Sequence, residues 1–170
     1  MSERRHPNIV NIDEVEPVER EHGRFRFKAR RLGDKTSARG VSCSHYEVEP
    51  GKTAFPAHYH CAAEEAIYVL EGSGALRIGE QTVALRAGDF VTFPVGPDHA
   101  HQLVADGDGP LRYLCMATMP SAEVVGYPDS DKIAALAGPV GGDWADSWVL
   151  KWFRAAESVD YFDGESDGGD

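Results

Sequence analysis

The stretch 58-HYHCAAEEAIYVLEGSG-74 decides how this chain is read. Two histidines stand one residue apart, two glutamates follow, and an apolar run ends at a glycine. Successive side chains of a strand alternate faces, so His58 and His60 point the same way. Two imidazoles on one face, joined by a carboxylate from the next strand, can converge on one metal ion. Read alone, the same letters also describe a polar surface strand.

Outward from this stretch the chain reads as short strands separated by glycine and proline. GRFRFKARRLG begins the series at Gly23, with Phe25 and Phe27 on one face, and VSCSHYEVEPG closes at Pro50-Gly51. IYVLEG leads into GALRIGEQTVALRAGD, where Gly79-Glu80 is a hairpin turn, followed by DFVTFPVG, HAHQLVADGDGP and LRYLCMATM. Runs of this length and composition predict an all-β antiparallel sandwich or barrel. Helical periodicity is confined to SDKIAALAG, where Ser130 would cap a short helix and Gly138 would stop it. After Met119 the proline- and glycine-rich text reads as an irregular connector, and beyond it Trp148, Trp152 and Phe153 are expected to pack on the barrel or across a dimer interface. The expected division is an N-terminal arm over 1–22, a barrel over 23–119 and an extension with an acidic tail over 120–170.

A second histidine pair lies in AGDFVTFPVGPDHAHQL, where Gly88, Pro94 and Gly96 precede His99 and His101. Together the two stretches resemble the paired signature of the cupin superfamily. One family motif runs glycine, H-x-H, three or four residues, glutamate, six residues, glycine. Here these are Gly51, His58, His60, Glu65 and Gly72, with one extra residue after Gly51. The other motif runs glycine, five residues, proline, x, glycine, then histidine and, three residues later, asparagine. The resemblance covers roughly residues 40 to 119. It implies a single cupin antiparallel β-barrel (a double-stranded β-helix, or jelly roll) with irregular N- and C-terminal arms.

The resemblance also implies that three histidines and a glutamate hold one divalent metal ion, with zinc, iron, manganese and nickel all candidates. Glu64 and Glu65 both satisfy the spacing. The glycine count selects Glu65, and alternation then sends Glu64 outward. Strict spacing from Gly96 selects His99 as the last ligand, whereas counting back from the ADGDGPLRYL hairpin selects His101. The expected set is His58, His60, Glu65 and His101, with His99 as the pocket base and catalytic candidate. The family asparagine is missing in either register, its place taken by Leu103 or Ala105. Tyr46, Tyr68 and Tyr113 read as packing aromatics.

Composition narrows the partners. A net charge of -11, from 28 acids against 17 bases, opposes binding to a phosphate backbone, so nucleic acid is not expected. No apolar run reaches the roughly 18 residues of a membrane helix, and Arg4 and Arg5 are followed by no apolar segment of a secretory signal, so a cytoplasmic protein is expected. Cys43, Cys61 and Cys115 form no C-x-x-C pair, and the first and last sit in apolar strand text. Alternation sends Cys61 away from His60, so it is read as a bystander. The resemblance implies a homodimer and a small-molecule substrate chelating the metal, as in sugar or keto-acid isomerases, epimerases and dioxygenases. GYPDSDKIAALAG with DYFDGE looks like a group of small bacterial cupins, some labelled sugar-phosphate isomerases. A cupin that binds a small ligand without turning it over is the other expectation.

Overall fold

The computed structural model describes residues 6–140 and 146–166. Thirteen strands are named in this part of the chain: β1 Val18–His22, β2 Phe25–Arg31, β3 Val41–Val48, β4 Tyr59–His60, β5 Glu65–Glu71, β6 Ser73–Ile78, β7 Gln81–Arg86, β8 Phe90–Phe93, β9 His101–Ala105, β10 Leu111–Thr118, β11 Ala122–Tyr127, β12 Lys132–Ala137 and β13 Val149–Arg154. They form a six-stranded sheet in the order β1-β2-β3-β10-β5-β8, a three-stranded sheet β7-β6-β9, and a four-stranded sheet β13-β12-β11-β4. Neighbours are antiparallel.

The first two sheets face each other across one core, as in a jelly roll. Ile67, Val69, Phe93 and Leu111 come from the larger sheet and meet Leu76, Leu85 and Leu103 from the smaller. Along β5 the period of two is plain, for Ile67 and Val69 are buried while Tyr68 and Leu70 are exposed. Each such burial contributes about 1.5–3 kcal/mol. The expected turn at Gly79-Glu80 joins β6 to β7 as a two-residue hairpin, with φ +53° at Gly79. Gly72 closes the first motif at φ +82°, where a Cβ would stand 2.4 Å from the Pro110 carbonyl oxygen. The motif glycine is therefore required by the close passage of β10's lead-in.

The C-terminal extension corrects the sequence reading. Lys132–Ala137 is strand β12, not a helix, and the supposed connector before it holds β11, its hairpin partner. Six residues of KIAALA are too few to nucleate a helix unaided, and pairing on both sides by β11 and β13 outweighs alanine's helical preference. Ser130 caps nothing. It lies in the short 3-10 turn Pro128–Ser130, with its hydroxyl buried and without a hydrogen-bond partner. The N-terminal arm likewise contains a strand, since β1 pairs with β2 along its full length. No described helix is long and apolar enough to cross a membrane.

Candidate metal centre

The histidine stretch enters through β4, a strand of only two residues pinned on three sides. His58 exchanges backbone hydrogen bonds with His101, at 3.1 and 2.9 Å, so both motifs meet at one bridge. The His60 carbonyl accepts the Gly96 amide at 2.8 Å, which ties the second motif's loop to the same strand. On the other edge β11 pairs with β4, placing Val125 opposite His60 and Gly126 opposite Tyr59. The Tyr59 ring lies over Gly126 so closely that a Cβ there would be 2.2 Å from the ring.

These constraints bring His58, His60 and Glu65 together, with one candidate ligand atom from each within 4.8 Å of the others. His60 Nε2 lies 3.5 Å from Glu65 Oε2, and His101 Nε2 lies 3.5 Å from Glu65 Oε1. The imidazoles are oriented from behind. His58 Nδ1 donates to the Pro56 carbonyl at 2.9 Å and His101 Nδ1 to the His99 carbonyl at 3.0 Å, which leaves each Nε2 as an acceptor facing inward. Phe93 stacks on His101 with ring centroids 3.7 Å apart and fixes its plane.

Charge in the cluster follows from these distances. Burial lowers the His58 imidazole to about 4, with His101 adding to the effect. Burial also opposes protonation of His60, but Glu65 and then Glu123 outweigh it and raise its pKa. At Glu65 burial favours the neutral acid, yet the His101 and His60 imidazoles, each with Nε2 3.5 Å from a carboxylate oxygen, and His58 nearby hold the carboxyl well below the usual range. Two buried nitrogens, His60 Nε2 and His101 Nε2, have no hydrogen-bond partner although both face this carboxylate. Buried polar atoms are rarely left so, and a cation shared by nitrogens and carboxylate satisfies all of them. The donor set fits a divalent metal ion.

Of the other sequence candidates, Glu64 is exposed, as alternation requires, and its backbone is held by Thr118, whose hydroxyl accepts the Glu64 amide at 2.9 Å and whose amide donates to the Glu64 carbonyl at 3.0 Å. His99 belongs to the 3-10 turn Pro97–His99 rather than to a strand, so strand parity does not govern it. Its carbonyl serves His101, and its side chain lines neither cavity at the histidines. Cys61 is exposed. Tyr113 is buried in the core and Tyr46 stacks on it at 5.3 Å.

Glu123 of β11 escaped the sequence reading. Its Oε1 accepts the Cys61 and Ala62 amides at 2.9 and 3.1 Å, and its Oε2 accepts the Ala63 amide at 2.6 Å. The same Oε2 lies 3.6 Å from His60 Nδ1. One carboxylate thus clamps the loop between His60 and Glu65 and flanks the back of His60. Its only sequence signal is an acid in an apolar run, EVVGY.

His58 and His60 open on a cavity of about 330 Å³, roofed by the C-terminal strands through Val125, Tyr127, Ala134, Leu136 and Trp152. The space on the core side of His58 and His101 is about 20 Å³, little more than a water molecule. A groove of about 420 Å³ reaches Glu65 past Glu64 and Met116 but touches neither histidine. The larger cavity beside the histidine pair is therefore the approach to the centre.

With fold and site in view, residues 44–117 match the family model described as the cupin domain. The matched stretch runs from β3 to β10, and the fold around it is that of the cupin superfamily. A crystal structure from Acidithiobacillus ferrooxidans, provisionally called a sugar phosphate isomerase, superposes with a TM-score of 0.74 at 25% identity, covering 89% of this chain and 94% of the other. The polyketide cyclase RemF from Streptomyces resistomycificus gives a TM-score of 0.56 at 29% identity, covering 69% and 80%. An uncharacterised protein of Methanocaldococcus jannaschii is 32% identical over 63 residues, 37% of this chain. The chain spans about half the length of that relative, 49%.

Proposed function

We propose that this protein is a mononuclear metal-dependent enzyme acting on a small molecule that chelates the ion through two oxygens. The observation that carries the reading is the pair of buried, unpartnered nitrogens on His60 and His101 facing the Glu65 carboxylate beside an open cavity. His58, His60, Glu65 and His101 would hold the ion. A divalent ion there supplies Lewis acidity, polarising a carbonyl or hydroxyl oxygen. The chain does the rest. The Pro56 and His99 carbonyls keep His58 and His101 in the tautomer that presents Nε2, and the C-terminal strands shield the reacting face from bulk water. His99 then contributes through its carbonyl rather than as a base. Isomerisation or epimerisation of a hydroxy-carbonyl compound is the reaction class we favour, with dioxygen chemistry the expectation if the resident metal is iron. The neighbours named for sugar phosphate isomerisation and polyketide cyclisation both act on small molecules, in keeping with this class.

Elemental analysis of protein purified without chelator tests it. About one equivalent of a single metal is expected, and the double variant His58→Ala/His60→Ala should lose it while remaining folded by circular dichroism. Undiminished metal in that variant rejects the site. A second reading, binding without turnover, is favoured by one observation: Glu123, the carboxylate bordering the cavity, already accepts three backbone amides. Metal-dependent binding with no exchange of a substrate's α-proton for solvent deuterium would select that reading.

A further inference from the structure

The cavity beside the histidines has walls whose chemistry is one-sided. Among the described residues none of its lining groups is a lysine or arginine. Its apolar surface includes Ala63, Met119, Val125, Ala134, Leu136 and Trp152, and its polar groups besides the two histidines are the Ser42, Thr118, Ser121 and Ser147 hydroxyls, Tyr127 and the Glu123 carboxylate. Two arginines of the barrel strands are engaged elsewhere. Arg77 forms a two-point pair with Asp129 at 2.6 and 3.0 Å, and Arg112 is held by Glu47 at 2.8 Å and Glu71 at 2.5 Å. Lys132 Nζ stands 5.2 Å from the Tyr127 ring centre and is not part of the wall.

Resting on the metal reading above, we infer that the substrate is an uncharged, flat and largely apolar hydroxy-carbonyl compound, such as an aryl or fused-ring ketone, and not a phosphate ester. A phosphate monoester brings nearly two negative charges. In this cavity it would meet Glu123, find no lysine or arginine in the described wall to add to the charge of the ion, and lose its hydration. A planar apolar body instead finds the half-exposed Trp152 and the buried small side chains of Ala134 and Ala63, with the Ser121 and Ser147 hydroxyls and Tyr127 left to orient ring oxygens. The volume of about 330 Å³ suits a small fused-ring molecule. Trp152 is half exposed, so it can be replaced without disturbing the core.

The test is calorimetric titration of the full chain, zinc-loaded and metal-free, with 1-hydroxy-2-acetonaphthone, ribose 5-phosphate and ribose. The naphthyl ketone is expected to bind the loaded protein at least about tenfold more tightly than either sugar. Trp152→Arg should weaken the ketone and strengthen the phosphate ester, whereas Trp152→Leu should keep the wild-type order. Phosphate ester binding as tight as ketone binding overturns the inference, as does ketone binding that Trp152→Arg leaves unchanged, or no binding of any probe to loaded protein. Zinc content is measured on the same samples. Failure to take up zinc would sink the metal reading, while the order of ketone over phosphate in the metal-free protein would still decide the character of the cavity.

Discussion

Replacing Glu123 by alanine is the sharpest perturbation of the site that touches no candidate ligand. The side chain is only 11% exposed and accepts three consecutive amides of the loop that carries the chain from His60 to Glu65. The three bonds are not equal. The Cys61 amide also donates to the Val124 carbonyl at 3.0 Å, and the Ala62 amide lies in an exposed residue that water can reach. Ala63 is 6% exposed, so its 2.6 Å bond to a carboxylate oxygen leaves a stranded donor when lost. A charge-assisted bond to a buried donor costs about 1.5–3 kcal/mol to remove and the rehydrated one a few tenths, giving roughly 2–4 kcal/mol in all. For a chain of this length that is a fall in melting temperature of roughly 6–12 °C. Loosening the loop also unfixes the spacing of His60 and Glu65, and metal affinity should drop about 10- to 100-fold. Glu123→Gln keeps one acceptor oxygen but turns an NH₂ toward a backbone donor, so it should show about half the loss. Differential scanning calorimetry of metal-free protein and competition against a chromogenic chelator read the two effects separately. A Glu123→Ala protein melting within a degree or so of wild type, with unchanged metal affinity, would refute the clamp.

Gly72→Ala places a Cβ 2.4 Å from the Pro110 oxygen at a backbone angle of φ +82°, so it should cost about 3 kcal/mol, read by urea denaturation; a loss below about 1 kcal/mol would mean that the β10 lead-in yields. His101→Ala should lower metal affinity by more than about a hundredfold, whereas His99→Ala, which keeps the carbonyl that orients His101, should change it only a few-fold; the reverse order in chelator competition would assign the ligand to His99. The metal-free protein should be most stable near neutrality. His58 has a folded pKa of about 4, below its ordinary 6.5, so the unfolded chain binds the proton first and stability falls by up to about 3 kcal/mol as pH drops through that window. Glu65, also depressed, adds a further loss below about its ordinary 4.5, while the raised pKa of His60 gives a contribution that is complete in acid and is lost as pH rises through its folded value. Melts from pH 4 to 8 should show the acid limb flattened in His58→Ala, and an unchanged limb would place the coupling elsewhere.

What the sequence discloses here is what local chemistry controls. Strands β2, β3 and β5 to β10 follow from alternation and from turn residues such as Gly79, because a half-buried strand must repeat every two residues. Glu65 could be separated from Glu64 by counting to Gly72, since that glycine is held by a backbone contact and fixes the register of β5. The C-terminal strands were not legible. KIAALA carries weak strand preference, and its state is set by partners in β11 and β13 that no short window contains. Glu123 was hidden for the same reason, as its bonds reach backbone amides 60 to 62 residues back in the chain, and backbone amides leave no side-chain motif.

This division has a consequence for how such a site changes its chemistry. The candidate ligands come from residues 58–101, inside the matched cupin domain, where hydrogen bonds between the two motifs over-determine their positions. The roof of the cavity comes from β11 to β13, beyond the matched region, and touches the ligand strand through the short β4–β11 ladder and Glu123. Substitutions on Leu136 or Trp152 can therefore alter which compound is admitted without moving a candidate ligand, whereas a change at Glu123 reaches both at once. Wall and ligands are thus separable except at the short β4–β11 ladder and at the Glu123 carboxylate. In a double-variant comparison, Trp152→Leu with Leu136→Ala should shift ligand preference at constant metal affinity, while pairing either with Glu123→Ala should give non-additive losses only if the clamp also positions the wall.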